Sequence, residues 1–323
     1  MRVRLFFFLL LILAISGLNF AVQTIELTNP EKFARKLTRN NVFLKFCDFF
    51  DVDGDFYYFL DRHFSVVFKV KKDTGELVKT ISSKGQGPRE LQDAVYMRLR
   101  NNKLFILDRG FNGIKIFDTA GNIINEFKLD VVVGERSMDV NGKEEIFLGR
   151  ADSDTNSMVQ VFDINGKKLR SLIPLKEIKG IAKLDKTWYY TIRLDKDGNI
   201  YVLYYLDRKL EKYDKEGKLL WEKPIKNKLL DQYPDDTKVK GGSKGQVYTN
   251  NQRVFGIDVT PNGNVIVAHA GGGCVFAGDG KLINLLTTPN EEWTLYQFKV
   301  FDDKLMNVTS FGQLVYIYHY KEE

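Results

Sequence analysis

The sequence predicts an all-β chain folded as a six-bladed β-propeller of four-stranded antiparallel blades. Three observations carry that prediction. One hairpin signature recurs six times along the chain, a second recurs five times, and one apolar run near the N-terminus is left over. Repeats of this kind mark arrays whose units cover one another's apolar faces.

The clearest copy runs from Val95 to Phe127. Its four short runs are rich in β-branched and aromatic residues and are separated by Asn101-Asn102, Phe111-Asn-Gly113 and Thr119-Ala-Gly121. That is the pattern of strands joined by tight hairpins. The inner hairpin returns as Phe43–Phe50 with Asp51-Val-Asp-Gly-Asp55 and Phe56–Leu60, and as Arg136–Val140 with Asn141–Glu145 and Ile146–Leu148. It returns again as Tyr189–Leu194 with Asp195-Lys-Asp-Gly-Asn199, as Val254–Val259 with Pro261–Asn264, and as Phe298–Phe301 with Asp302–Lys304. The outer hairpin is marked by Gly75, Gly121, Gly166, Gly217 and Gly280, each able to take the positive φ its turn requires.

The sixth unit therefore reaches only a third strand, Gln313–Tyr320. An unpaired blade edge is avoided in folded proteins, so the spare run Val22–Leu27 is expected to supply the missing strand and close the ring. Residues 1–21 read as a signal peptide. Arg2 and Arg4 form the basic region, Leu5–Ile15 the apolar core, and Ser16, Gly17 and Ala21 offer small residues for cleavage. The core of about 11 residues is short against the ~20 needed to cross a bilayer. The expectation is a secreted or periplasmic protein with no membrane span after cleavage. Residues 22–323 then form a single propeller domain, with a link at 223–253 inserted between blades four and five.

Composition narrows the function. Hydrophobic residues make up 44% of the chain and aromatics 13%, which excludes disorder. The net charge of +6, or +4 without Arg2 and Arg4, is spread along the chain. It lacks the dense basic patch of a nucleic-acid binder. The two cysteines, Cys47 and Cys274, fall in blades one and five, which are not adjacent, so free buried thiols are expected and no disulfide framework.

Function is expected on the loops that join one blade to the next, which share a face with the turns between second and third strands. The link Ser82–Asp93 contains Gly85-Gln-Gly-Pro-Arg-Glu90, and the link Lys223–Arg253 is longer than ordinary loops, either a lid or a mobile segment. Gly85-Gln-Gly-Pro-Arg-Glu-Leu91, Leu104-Phe-Ile-Leu-Asp108, Asn112, Ile114-Lys-Ile-Phe-Asp118 and Gly121 resemble the unit of the bacterial six-bladed propeller proteins related to NHL repeats. Units one and four match it in part. The third has Gly149 and the fifth Ala268 where the family has Asp. The resemblance implies the fold and, by analogy, an exported binding role.

Candidate site residues follow from that face. Asp-Arg ends the second strand in three units (Asp61-Arg62, Asp108-Arg109, Asp207-Arg208), with Gly149-Arg150 in a fourth. Either each Asp caps a turn with its Arg lying over it, or Arg62, Arg109, Arg150 and Arg208 ring the face as a fork for carboxylate, sulfate or phosphate. His63, Lys84, Arg89, Lys238, Lys240 and Lys244 are expected on the same face. Trp188 with Tyr189-Tyr190, Tyr204-Tyr205 and Trp293 with Tyr296 offer either sugar-stacking surfaces or inter-blade packing. Asp51–Asp55 and Asp195–Asn199 lack the spacing of a calcium loop and read as turns. His63, His269 and His319 have no ligand spacing, and no nucleophile elbow, P-loop or dinucleotide fingerprint is present. The reading is a monomeric, non-catalytic protein without metal or cofactor that binds a protein partner or a carbohydrate or anionic ligand. The alternatives are a metal-dependent lyase or hydrolase with its site in the axial channel, and a structural or assembly module.

Overall fold

The computed structural model describes residues 22–28, 30–130, 137–152, 156–176, 190–233, 238–240, 247–249, 254–288, 297–308 and 314–321. Strands β1 (Gln23–Glu26) and β2 (Glu31–Lys32) and helix α1 (Ala34–Arg39) precede the blades. Blade one is β3–β6 (Cys47–Asp53, Phe56–Asp61, Val66–Lys71, Leu77–Ile81). Blade two is β7–β10 (Ala94–Arg100, Lys103–Asp108, Gly113–Asp118, Ile123–Lys128), and blade three β11–β14 (Met138–Val140, Ile146–Asp152, Ser157–Phe162, Lys168–Pro174). Blade four is β15–β18 (Tyr190–Leu194, Ile200–Tyr204, Lys209–Tyr213, Leu219–Pro224). The link after it carries a 3₁₀ turn (Leu230–Gln232) and a small hairpin, β19–β20 (Lys238–Lys240, Val247–Thr249). Blade five is β21–β24 (Val254–Val259, Val265–His269, Gly272–Phe276, Leu282–Thr287), and blade six β25–β27 (Gln297–Phe301, Lys304–Val308, Val315–His319). Within each blade the strands pair antiparallel in chain order. The six blades form a ring.

Local chemistry accounts for the hairpins. In blade two, Asn101 and Asn102 connect paired Arg100 and Lys103 with φ of 49° and 58°, the left-handed pair that a two-residue I′ turn demands. In the outer turns of blades two, three and four an Asp carboxylate accepts the N–H four residues on. Asp118 accepts Asn122 N at 2.8 Å, Asp163 accepts Lys167 N at 2.9 Å and Asp214 accepts Lys218 N at 2.8 Å. The glycine in these turns has a second duty. A Cβ at Gly166 would lie 2.5 Å from the Phe127 ring, and one at Gly280 about 3.0 Å from the Trp221 ring. The outer strand of one blade thus seats an aromatic side chain against the bare turn of the next.

Every outer strand but that of blade six opens with a β-bulge, at Val78, Ile124, Leu169, Leu220 and Ile283. Each falls three residues after the turn glycine. Bulges increase local twist and spoil an edge for pairing with a second sheet.

The ring is closed by an N-terminal strand, as expected, but the strand is a different one. Glu31–Lys32 pairs antiparallel with Tyr316–Ile317 of blade six. The run Val22–Leu27, expected beside Gln313–Tyr320, lies instead on blade five, where Gln23–Glu26 pairs parallel with Asn284–Thr287 as a fifth strand. Leu27 explains the choice. It is fully buried in the apolar seam between blades five and six with Ile266, Leu286, Leu305 and Tyr318. Pro30, lacking an N–H, then interrupts the ladder before the chain enters the next blade.

Apolar clusters fill the spaces between blades, and burial of this kind contributes roughly 25 cal/mol per Å². Cys47 and Cys274 are buried thiols, as expected. Residues 1–21 lie outside the described residues. Among the described residues no helix is long and apolar enough to cross a membrane.

Candidate functional site

In blades one and two the inter-blade face is built on the Asp that ends the second strand. Asp108 accepts the N–H groups of Gln92 and Asp93 at 2.9 Å each, and those of Gly110 and Phe111 at 3.1 and 3.3 Å. Asp61 does the same in blade one, accepting Lys45 N at 2.6 Å, Phe46 N at 3.2 Å and Phe64 N at 3.2 Å. One carboxylate therefore sews the incoming link to the turn between second and third strands. The arginines that follow meet on an acid. Arg109 donates from Nε to Asp93 at 2.7 Å, and Arg62 Nε lies 3.7 Å from the same carboxylate. His63 is exposed, with Lys45 Nζ 3.0 Å from its Nε2. Arg150 lies in β12, and Trp188, Lys244, Trp293 and Tyr296 lie outside the described residues. Lys238 and Lys240 form one strand of the hairpin in the long link.

The link Ser82–Leu91 is exposed at Lys84 and Arg89 and supported from beneath. Lys115 of β9, 1% exposed, donates to the carbonyls of Gly87 at 3.0 Å and Glu90 at 2.8 Å. The Glu90 side chain curls back to accept Gly87 N at 2.8 Å, and it occupies the space a side chain on Gly85 would need. The glycines of the motif are thus fixed by the glutamate.

The long link begins as a packed segment. Ile225 and Leu230 are buried against blade five, and Ile225 N donates to the Arg208 carbonyl at 2.6 Å. Asn227 Oδ1 accepts Leu229 N and Leu230 N at 3.0 and 3.1 Å, while its amide donates to His269 Nε2 at 3.0 Å. His269 then carries its proton on Nδ1 and donates to Ala270 O at 2.7 Å. Burial, with Arg208 nearby, lowers the imidazole's pKa against the opposing pull of the Ala270 carbonyl. Tyr190 and Tyr204 are buried, Tyr190 donating to Met158 O at 2.7 Å, so packing is their role. Trp221 likewise packs edge-on to Tyr201 and donates to Gly278 O at 3.0 Å.

The axis holds residues that motif reading passed over. Each inner strand presents one charged side chain at an equivalent register: Asp51, Arg98, Asp139, Arg193, Asp258 and Lys299, blade by blade. The signs alternate round the ring and cancel. Each aspartate reaches forward to the next blade, Asp51 accepting Leu99 N at 3.0 Å, Asp139 Leu194 N at 2.9 Å and Asp258 Val300 N at 3.1 Å. Cations complete the circuit. Arg98 lies 3.3 Å from Asp139, and Lys299 lies 3.1 Å from Asp51. Burial would raise the Asp51 and Asp139 carboxyls, but the facing cations and N–H groups outweigh it and hold both below the usual range. Arg98 is held fully charged by the same partners. Asp51, expected in a turn, stands in this ring, because β3 continues to Asp53 and the turn is Gly54-Asp55. A signal was available: in all six units the charged residue precedes Val or Leu (Asp51-Val52, Arg98-Leu99, Asp139-Val140, Arg193-Leu194, Asp258-Val259, Lys299-Val300). Among the described residues no group of three or more His, Cys, Asp or Glu is placed to hold a metal ion.

Similarity to solved structures agrees with this architecture. A protein of Bacteroides fragilis described as exported superposes with a TM-score of 0.59 at 9% identity, over 94% of this chain and 95% of that one. A member of the DUF4221 family from Bacteroides vulgatus gives 0.59 at 11% identity, over 86% and 93%. A virginiamycin B lyase from Staphylococcus aureus gives 0.53 at 10% identity, over 91% and 89%. No protein-family model matches the chain, and no curated protein matches it in sequence. At such identities the likeness is one of fold. The chain is a six-bladed β-propeller with a neutral ion-paired hub and a ring closed from its N-terminal side.

Proposed function

We propose that this propeller is an exported, non-catalytic binding protein that presents its inter-blade face to an anionic ligand or protein partner. The observation that carries this reading is the link Ser82–Leu91, an exposed loop bearing Lys84 and Arg89 that is held rigid by Lys115 and Glu90. A loop shaped before binding loses little entropy on binding, and two exposed cations that draw no ion pair among the described residues can steer an anionic partner. The metal-dependent reading asks for axial carboxylates free to coordinate. Asp51, Asp139 and Asp258 are each committed to a backbone N–H of the neighbouring blade. Export follows from the leader-like residues 1–21, and the exported chain should begin close to residue 22.

Chromatography on a sulfated polysaccharide resin tests the face. The chain should be retained at low salt, and the double variant Lys84→Ser, Arg89→Ser should elute at clearly lower ionic strength with an unchanged melting temperature. Identical elution of the two proteins would remove the reading's main support.

A further inference from the structure

A second opening lies at the other end of the axis, where the turns between first and second strands converge. It encloses a cavity of about 470 Å³ lined from blades one, two, four, five and six, a size typical of small-ligand sites. Its floor is the ion-paired hub, reached at Lys299.

Side chains two residues apart on a strand share a face. Asp53 and Arg100 therefore stand one layer out from the hub's Asp51 and Arg98, and in this layer the pairing stops. Asp195 is consumed by its own turn, accepting Asp197 N at 3.0 Å, Asn199 N at 2.9 Å and the Asn199 amide at 2.8 Å. Thr260 Oγ1 accepts Asn264 N at 3.1 Å. Lys72 leans on the Phe301 ring, with Asp302 at 3.9 Å. Arg100 differs. Its Nε is anchored on Val140 O at 3.0 Å, which holds the exposed guanidinium at the cavity wall; its charge also acts on Asp139, while its terminal nitrogens make no hydrogen bond among the described residues. Asp53, half-buried on the adjoining blade, and the exposed Lys196 across the opening also make no hydrogen bond or ion pair there.

A fixed guanidinium recognises a carboxylate through two parallel hydrogen bonds, and an acid beside it can only accept from a hydroxyl or an ammonium group. Phe301 and Pro261 supply an apolar wall. We propose that this axial mouth binds a small carboxylic acid carrying a hydroxyl or amino group, its carboxylate on Arg100 and Lys196 and its donor on Asp53. The site is distinct from the inter-blade face and does not depend on it.

Titration calorimetry on the full chain at low ionic strength decides the matter, with galacturonate and glutamate as the two probes and galactose as the neutral control. One acid or both should bind saturably and galactose should not; the acid that binds identifies the donor as hydroxyl or ammonium. Arg100→Gln should weaken binding about tenfold or more, and Lys196→Gln and Asp53→Asn by smaller factors. The Lys84→Ser, Arg89→Ser variant should bind as the parent does, which separates this proposal from the one above. Failure of both acids to saturate at about 10 mM, far above the range expected for a built site, would overturn it. So would parental affinity in both Arg100→Gln and Lys196→Gln.

Discussion

Blades two and four receive their incoming links at the same place and hold them with opposite charges. Lys115 and Glu211 occupy equivalent positions at the middle of the third strand, opposite Ile106 and Val202. In blade two the strand supplies a cation, and the link supplies the carbonyls of Gly87 and Glu90, with the partly exposed Glu126 of β10 3.3 Å away on the blade itself. In blade four the strand supplies a carboxylate, and the link supplies Lys176, whose Nζ is 2.7 Å from Glu211. Lys209 at 2.8 Å and the Tyr213 hydroxyl complete that second clasp. What the position preserves is a buried charge of either sign pinning the link. The two clasps differ in one respect that solution chemistry can reach: peptide carbonyls do not titrate, and a carboxylate does. Burial would raise Glu211, but its hydrogen-bonding partners prevail and bring it to about 2.

The most severe way to break the comparison is to take the charge out of the neutral-acceptor clasp. Lys115→Met leaves two link carbonyls unmatched and should cost about 3 kcal/mol in urea denaturation, with faster proteolysis within Ser82–Leu91. A change under 1 kcal/mol would mean that the buried cation is ornamental. Glu211→Gln should cost about 2 kcal/mol at neutral pH, less because Lys176 and Lys209 can turn to solvent. Its pH dependence sharpens the contrast. The folded carboxyl titrates below its ordinary 4.5, so its stabilisation is complete above that value and is lost as pH falls towards about 2. The gap between parent and Glu211→Gln should therefore close in acid, whereas the Lys115→Met gap should narrow only by the share that Glu126 contributes. Gly85→Ala, which pushes Glu90 off Gly87 N, should cost about 1 kcal/mol in the parent and almost nothing further in a Glu90→Ala background.

The smallest expected effect is local. His269 has a folded pKa below its ordinary 6.5, so the contact with Asn227 is favourable above that value and is lost as pH falls below it, when Nε2 becomes a donor facing a donor. The protection factors of the amides across Ile225–Tyr233, which correct for the intrinsic rate, should fall on passing from pH 7 to pH 5. His269→Gln should remove that dependence.

Sequence periodicity made the blades legible because hairpin turns are local: Asn101-Asn102 and Asp118 with Gly121 state their geometry within a few residues. The bland role of Asp61 and Asp108 was legible for the same reason. The hub was harder to read, since Arg98 finds Asp139 forty-one positions away and its meaning appears only when six strands are aligned. The first strand was misplaced because the count of strands says that an edge must be filled, and says nothing of where Leu27 finds an apolar seam. Lys115 looked like any lysine in a strand. Its burial depends on a link that folds over it.

The closure of the ring carries a consequence for how the molecule is made. Lys32 is opposite Tyr316, and Gln23 is opposite Asn284, so two neighbouring segments dock on strands far along the chain. Contacts this remote are slow to form, because nearly the whole chain must be gathered before they stabilise anything. Until then blade six has three strands and an open side. A polypeptide that delays its final latch in this way stays an open arc of blades until its two distant segments have met.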